Sequence, residues 1–195
     1  MRRVDVVVIG AGQAGLAVGY YLRRTSLTYV LLDASWSPGG AWPRTWSSLR
    51  LFSPAEASSL PGWLMPPAAD GYPTRDEAIA YLTRYEQRYP LPVRRPVHVD
   101  AVRRSARGIE VDSDAGAFAA RAVVSATGTA AAPHVPAFPG RESFAGRQIH
   151  SVDYRGPEPF AGARVLIVGA GNSAAQILAE LSRVTMPAPS SCLRW

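Results

Sequence analysis

The sequence contains no lysine, a single cysteine, and no apolar run long enough to span a membrane. Each shortage removes a class of function. With Cys192 alone near the C-terminus, there is no disulfide framework, no C-x-x-C redox pair and no zinc-ligand spacing. The basic residues are all arginine and lie singly or in pairs, such as Arg23-Arg24 and Arg103-Arg104. They form no basic stripe interleaved with aromatics, so the net charge of +6 does not signal nucleic acid. Moderate basicity does suit a polyanionic small ligand. Met1-Arg2-Arg3 ahead of an apolar run imitates an export signal, but Asp5 interrupts the run and Gly10 ends it. A cytoplasmic globular chain is expected, 195 residues giving one domain and part of a second.

What is present is a strand and glycine-rich turn, written twice. Val4-Asp5-Val6-Val7-Val8-Ile9 enters Gly10-Ala11-Gly12-Gln13-Ala14-Gly15, and Arg164-Val165-Leu166-Ile167-Val168 enters Gly169-Ala170-Gly171-Asn172-Ser173-Ala174. Both fit G-x-G-x-x-G/A between a buried parallel strand and an Ala-rich helix. In such a turn the first glycine makes the tight bend and the second admits a pyrophosphate. The small third residue lets helix pack on strand. The helix N-terminus then offers free N–H groups and partial positive charge to phosphate. Two copies predict two dinucleotides. A second strand, residues 28–32, ends in Asp33, 18 residues past Gly15 and near the roughly 20-residue offset of a ribose-binding acid. A carboxylate there suits ribose hydroxyls and repels a 2′-phosphate, as FAD or NAD requires.

Residues 34–73 lack periodicity and are rich in Ser, Pro, Gly and Trp, as in a functional excursion over a ligand. Residues 74–89 read as a helix with Thr74 as N-cap, acids Asp76 and Glu77 in the first turn, and Pro90 beyond its end. Short strands at 97–103, 108–112 and 117–121 suggest an antiparallel meander, followed by a buried strand from Val123 to the small-residue exit Ala126-Thr127-Gly128. The fold class expected is α/β: a Rossmann-like FAD-binding domain, parallel sheet plus small meander, over residues 1–128. A Pro-rich connector at 129–160 leads to the start of a second Rossmann-like, NAD(P)-binding domain at 161–195.

The chain resembles the class B flavin-dependent monooxygenases, and most of all bacterial oxidoreductases of the flavin-containing monooxygenase type. The resemblance rests on Phe144-Ala145-Gly146-Arg147-Gln148-Ile149-His150-Ser151-Val152-Asp153-Tyr154, which matches F-x-G-x-x-x-H-x-x-x-Y ahead of the second fingerprint. Gly39-Gly40-Ala41-Trp42, the Leu49-Arg50-Leu51-Phe52-Ser53-Pro54 segment and Ala126-Thr127-Gly128 support it. Related Baeyer–Villiger enzymes usually end the motif in Trp, so Tyr154 points to the heteroatom-oxidising branch.

The resemblance implies FAD reduced by NADPH, with NADH as the alternative, and oxygen transfer from a C4a-hydroperoxyflavin to a soft nitrogen or sulfur of a small-molecule substrate. It assigns Gly10, Gly12, Ala14 and Gly15 to the FAD pyrophosphate and Asp33 to its ribose. Gly40, Trp42 and Arg44 would lie along the flavin, the Val99 backbone at the adenine, and Ala126, Thr127 and Gly128 close to the cofactor. Gly169, Gly171, Asn172, Ser173 and Ala174 would face the nicotinamide dinucleotide. His150 takes an interdomain rather than acid–base role. No catalytic side chain, metal cluster, nucleic acid or membrane is implied. Residues 185–195, with two prolines and two serines, make a poor second strand, so a C-terminally truncated form is expected. Two other readings stand beside it: another two-dinucleotide flavoprotein reductase, and a non-catalytic FAD-binding remnant.

Overall fold

The computed structural model describes residues 1–106 and 108–186. Strand β1 (Arg2–Ile9) is the hub. It leads through helix α1 (Gln13–Leu22) to β2 (Tyr29–Leu32), which pairs parallel to it with Val8 opposite Leu31. Helix α2 (Arg75–Arg88) precedes the two-residue strand β3 (Val93–Arg94), parallel to β2. The meander β4 (Val99–Ser105), β5 (Gly108–Ser113) and β6 (Phe118–Ser125) completes a six-stranded sheet of order β3-β2-β1-β6-β5-β4.

The last meander strand and the buried strand expected after it are one continuous element. β6 lies parallel to β1 along its length, from Arg2 opposite Phe118 to Ile9 opposite Ser125, and antiparallel to β5 over only its first half. No turn is needed at Ala122, because the run Ala119-Ala120-Arg121-Ala122-Val123 stays extended while β5 departs. The sequence pattern alone suggests two separate strands, 117–121 and one from Val123.

The apolar run of β1 alternates between two buried faces. Val6 and Val8 pack with Leu16 of α1 and with Leu82 and Tyr85 of α2, and Val7 turns the other way toward Val30, Leu32, Val111 and Phe118. Burial on both faces explains why the run is continuously apolar. Gly19, one turn after Gly15, lets α1 lie close to β2: a Cβ there would sit 3.3 Å from the Leu31 and Leu91 side chains.

Helix α2 begins as expected. Thr74 Oγ1 accepts the Glu77 N–H at 3.2 Å, and Glu77 Oε2 accepts the Thr74 N–H at 2.8 Å, closing a capping box. That N–H holds the Glu77 carboxyl below its ordinary value. Its contribution is therefore present above the usual carboxylate range and fades as pH falls through the lowered value. Thr74 Oγ1 also donates to Glu77 Oε2 at 3.0 Å, so Thr74→Ala is expected to cost about 1 kcal/mol in a urea titration at neutral pH, with a smaller difference from the parent in acid.

The second fingerprint departs from expectation. Helix α3 (Asn172–Leu181) forms, but residues 164–168 join no strand among the described residues. Val165 and Ile167 turn inward against the cluster of Trp46, Leu49, Tyr154, Ile177 and Leu181, while Leu166 and Val168 are exposed at 75% and 73%. A central strand of a parallel sheet needs a partner on each side to bond its N–H and C=O groups, and no described strand pairs with this segment. Of residues 185–195, expected to make a poor second strand, 187–195 lie outside the described residues. No described helix is long and apolar enough to cross a membrane.

Candidate functional site

The C-terminal ends of β1 and β6 define the site. β1 is continued through α1 to β2 on one side, and β6 flanks it on the other, so the crevice beyond Ile9 and Ser125 is a topological switch point. Ligands of open α/β sheets bind at such crevices. Gly10 N–H bonds Leu32 C=O at 2.7 Å, and Ala126 N–H bonds Ile9 C=O at 2.8 Å, which locks the three strand ends together.

Glycine is required here for measurable reasons. Gly10 has φ +100°, and a Cβ on it would stand 2.3 Å from the Ala126 carbonyl oxygen. A Cβ on Gly15 would stand 1.9 Å from Gly10 O, so the helix sits directly against the turn. Gly12 differs: its Cβ would meet only Gly40 Cα, at an ordinary 3.6 Å. The protein itself tolerates a methyl group at Gly12.

Gly12 is the N-cap of α1 and offers no side-chain cap, unlike Thr74 of α2. The first N–H groups of a helix have no intrahelical partners. At α1 they open beside exposed Gln13 and Ala14. A phosphate there could supply the missing acceptors. Gly171 likewise caps α3 without a side chain. Gly169 (φ +118°) and Gly171 have nothing within 4 Å of an added Cβ, and with Asn172 and Ser173 they are exposed. That turn has the backbone of a phosphate cradle and no opposing wall among the described residues.

The irregular segment supplies the wall of the first site. Gly40 (φ +59°) abuts Gly12, with a Cβ on it reaching 2.8 Å from Gly12 Cα. Beyond lies a cavity of about 450 Å³, lined by Gln13, Trp42, Leu51, Phe52, Ser53 and residues 57–60. Its far wall hangs from α2. The Tyr81, Tyr85 and Tyr89 hydroxyls donate to the carbonyls of Trp63, Pro61 and Gly62, each at 2.6 Å, and Tyr81 Oη accepts the Leu60 N–H at 2.7 Å. Arg44 is exposed at the end of the 3₁₀ turn Trp42–Arg44.

Asp33 follows β2 and is buried. One of its oxygens accepts two N–H groups of Arg95, and the other accepts the Ser35 N–H at 3.2 Å. Its carbonyl accepts the N–H of buried Val97 at 2.9 Å, whereas Val99 pairs with Ser113 in the meander. The site therefore gathers Gly10, Gly12, Ala14, Gly15, Gly40, Trp42 and Ala126 around one crevice, with Asp33 at the end of the neighbouring strand. Thr127 and Gly128 run outward, exposed, from β6. Residues 169–174 belong to α3 and its turn, apart from this group.

The linker motif has a structural place. His150 Nδ1 accepts the Val152 N–H at 3.1 Å and caps the turn Ser151–Asp153. Tyr154 is buried edge-on against Trp46 and donates to Glu180 at 2.8 Å. Burial and that carboxylate push its hydroxyl above the ordinary tyrosine value, so it stays a neutral donor. Glu180 also receives Trp46 Nε1 and the Ser48 hydroxyl, and Gln176 clamps Arg50 at both its N–H (3.0 Å) and C=O (2.9 Å). Helix α3 is thereby docked on the segment that leads into the cavity wall. Gln13, Arg95, Gln176 and Glu180 carry no motif signal in the sequence.

Comparison with known proteins agrees with this geometry. A family model described as pyridine nucleotide-disulphide oxidoreductase matches residues 7–188. The chain belongs to that family. Within it, the solved structure of a flavin-containing monooxygenase from Stenotrophomonas maltophilia superposes with a TM-score of 0.91 at 54% identity, covering 97% of this chain and 60% of that one. An uncharacterized CzcO-like oxidoreductase of Geobacillus kaustophilus is 40% identical over 92% of this chain and 51% of its own length. The indole-3-pyruvate monooxygenase YUCCA8 of Oryza sativa is 33% identical over 90% of this chain and 44% of its own. The chain spans about half the length of these curated relatives. A resemblance to flavin monooxygenases, first suggested by the linker motif, is thus matched in both sequence and fold. The family description names disulphide chemistry; this sequence has one cysteine.

Proposed function

We propose that this chain carries the FAD-binding part of a flavin-dependent monooxygenase acting on a soft nitrogen or sulfur of a small molecule. The observation that carries the reading is the uncapped first turn of α1 at the β1/β6 crevice, with a cavity of about 450 Å³ beside it. Residues 10–15 hold the pyrophosphate, Asp33 takes a ribose hydroxyl, and Gln13, Trp42 and Leu51 border the ring system. The chemistry supplied by bound FAD is acceptance of a hydride from a nicotinamide and activation of molecular oxygen. The protein's own share is orientation and exclusion of water, for which the wall held by the three tyrosines is suited. Tyr154 in place of Trp supports the heteroatom branch.

The open turn at Gly169 and the unpaired residues 164–168 favour a second reading, that this polypeptide binds FAD without being reduced. The test is anaerobic titration of the purified chain with NADPH while following the visible flavin band. A yellow protein that NADPH does not bleach is the expected result. Bleaching on the order of 1 s⁻¹ or faster, an ordinary turnover rate, would mean that α3 and its turn suffice for the nicotinamide. A colourless protein that takes up no added FAD would remove the flavin assignment itself.

A further inference from the structure

Asp33 is one end of a buried three-residue clamp. Arg95, which follows β3, reaches its Oδ2 with Nε at 3.2 Å and Nη2 at 3.1 Å. The same guanidinium grips Glu86 of α2 with Nη1 at 2.7 Å and Nη2 at 2.9 Å. The three side chains are only 12%, 9% and 17% exposed for Arg95, Asp33 and Glu86. Burial works against the Arg95 charge, but the hydrogen bonds and charges of Glu86 and Asp33 outweigh it and hold the guanidinium above its ordinary value. Arg95 is therefore a fixed cation, anchored through Glu86 to a helix whose Tyr81, Leu82 and Tyr85 are in the core.

A carboxylate has about four acceptor positions. At Asp33, Arg95 fills two on one oxygen and the Ser35 N–H fills one on the other. One direction on Oδ1 is left. We infer that Arg95 is the positioning residue of the adenosine site, holding the Asp33 carboxylate turned so that this remaining direction receives a single ribose hydroxyl. The inference rests on the assignment of residues 10–15 and Asp33 to FAD and adds a part to it that no motif marks. The clamp carries a net single negative charge, two carboxylates against one guanidinium, so it selects nucleotides with an unphosphorylated ribose.

The test is FAD affinity of the flavin-stripped chain, followed by flavin fluorescence, for the parent and for Arg95→Met, Arg95→Lys, Asp33→Ala and Arg95→Met/Asp33→Ala. Loss of a hydrogen bond to a charged group corresponds to roughly tenfold or more in affinity. Arg95→Met is expected to weaken FAD by about that factor, and ADP, measured by competition, by the same factor. Arg95→Lys should recover part of it, because it keeps the charge but not the fork. In the Asp33→Ala background the Arg95 change should add nothing, since its effect passes through Asp33. Equal affinity of parent and Arg95→Met, or a full further loss in the Asp33→Ala background, would overturn the inference and leave the FAD site standing. A parent that binds no FAD would overturn both. If Arg95→Met does not fold, Glu86→Gln removes one charge of the anchor and keeps the cation. A loss of several-fold in FAD affinity supports the clamp, and unchanged affinity defeats it.

Discussion

Gly12→Val is expected to yield a folded protein without flavin, and Gly15→Ala a protein that loses stability and flavin together. The two glycines stand in the same motif but face different neighbours. A Cβ on Gly15 falls 1.9 Å from Gly10 O. Gly10 cannot retreat, because its N–H is bonded to Leu32 and its Cα side faces the Ala126 carbonyl. The strain must move α1 or the strand ends, at about 1–3 kcal/mol or more. At Gly12 the Cβ has room against Gly40. Only the further methyls of Val enter the space proposed for the pyrophosphate, and the loss at the N-cap is about 1 kcal/mol. Urea midpoints and the flavin-to-protein absorbance ratio separate the two outcomes. Parent-like flavin content in Gly12→Val would dissociate the turn from cofactor binding.

A second large effect is expected at Glu180 of α3. Its carboxylate accepts Trp46 Nε1 at 3.2 Å, Tyr154 Oη at 2.8 Å and the Ser48 hydroxyl. Glu180→Leu leaves buried donors unmatched, at roughly 1–3 kcal/mol each, which exceeds what the short contact of α3 can absorb. Helix α3 should detach while the six-stranded sheet remains. Hydrogen exchange over residues 172–181 should rise by orders of magnitude, and Trp46 fluorescence should shift as its indole meets water, with protection in β1 and β6 unchanged. Unchanged protection of α3 would mean that Ile177 and Leu181 hold it by packing alone.

The local grammar of the sequence accounts for β1, α1, β2 and the capping box of α2, because each is set by residues within a few positions of one another. What escaped it depends on distant partners. β3 is two residues long and exists only because Val93 and Arg94 lie opposite Leu31 and Leu32. The unity of β6 follows from β1 pairing along its whole length. Residues 164–168 have a strand's composition but no strand neighbours among the described residues, so a periodicity argument names the wrong state. Within the site, the glycines and Asp33 announce themselves by spacing. The contact of Gly12 with Gly40, the tyrosine-held wall and the hold of Arg95 on a residue 62 positions away do not.

The pairing of β1 with β6 also fixes the order of events during synthesis. β1, α1 and β2 lie within the first 32 residues and are the first elements to leave the ribosome. The other edge of β1 stays bare until residues 118–125 emerge, and Val7 stays uncovered until Val111 and Phe118 arrive. Gly10 receives its Ala126 neighbour last of all. Such distant closure is slow, and an open strand edge invites pairing with other chains in the interval. The nascent chain thus presents the glycine turn long before the crevice exists, and any ligand of that crevice must wait until most of the sheet has been made.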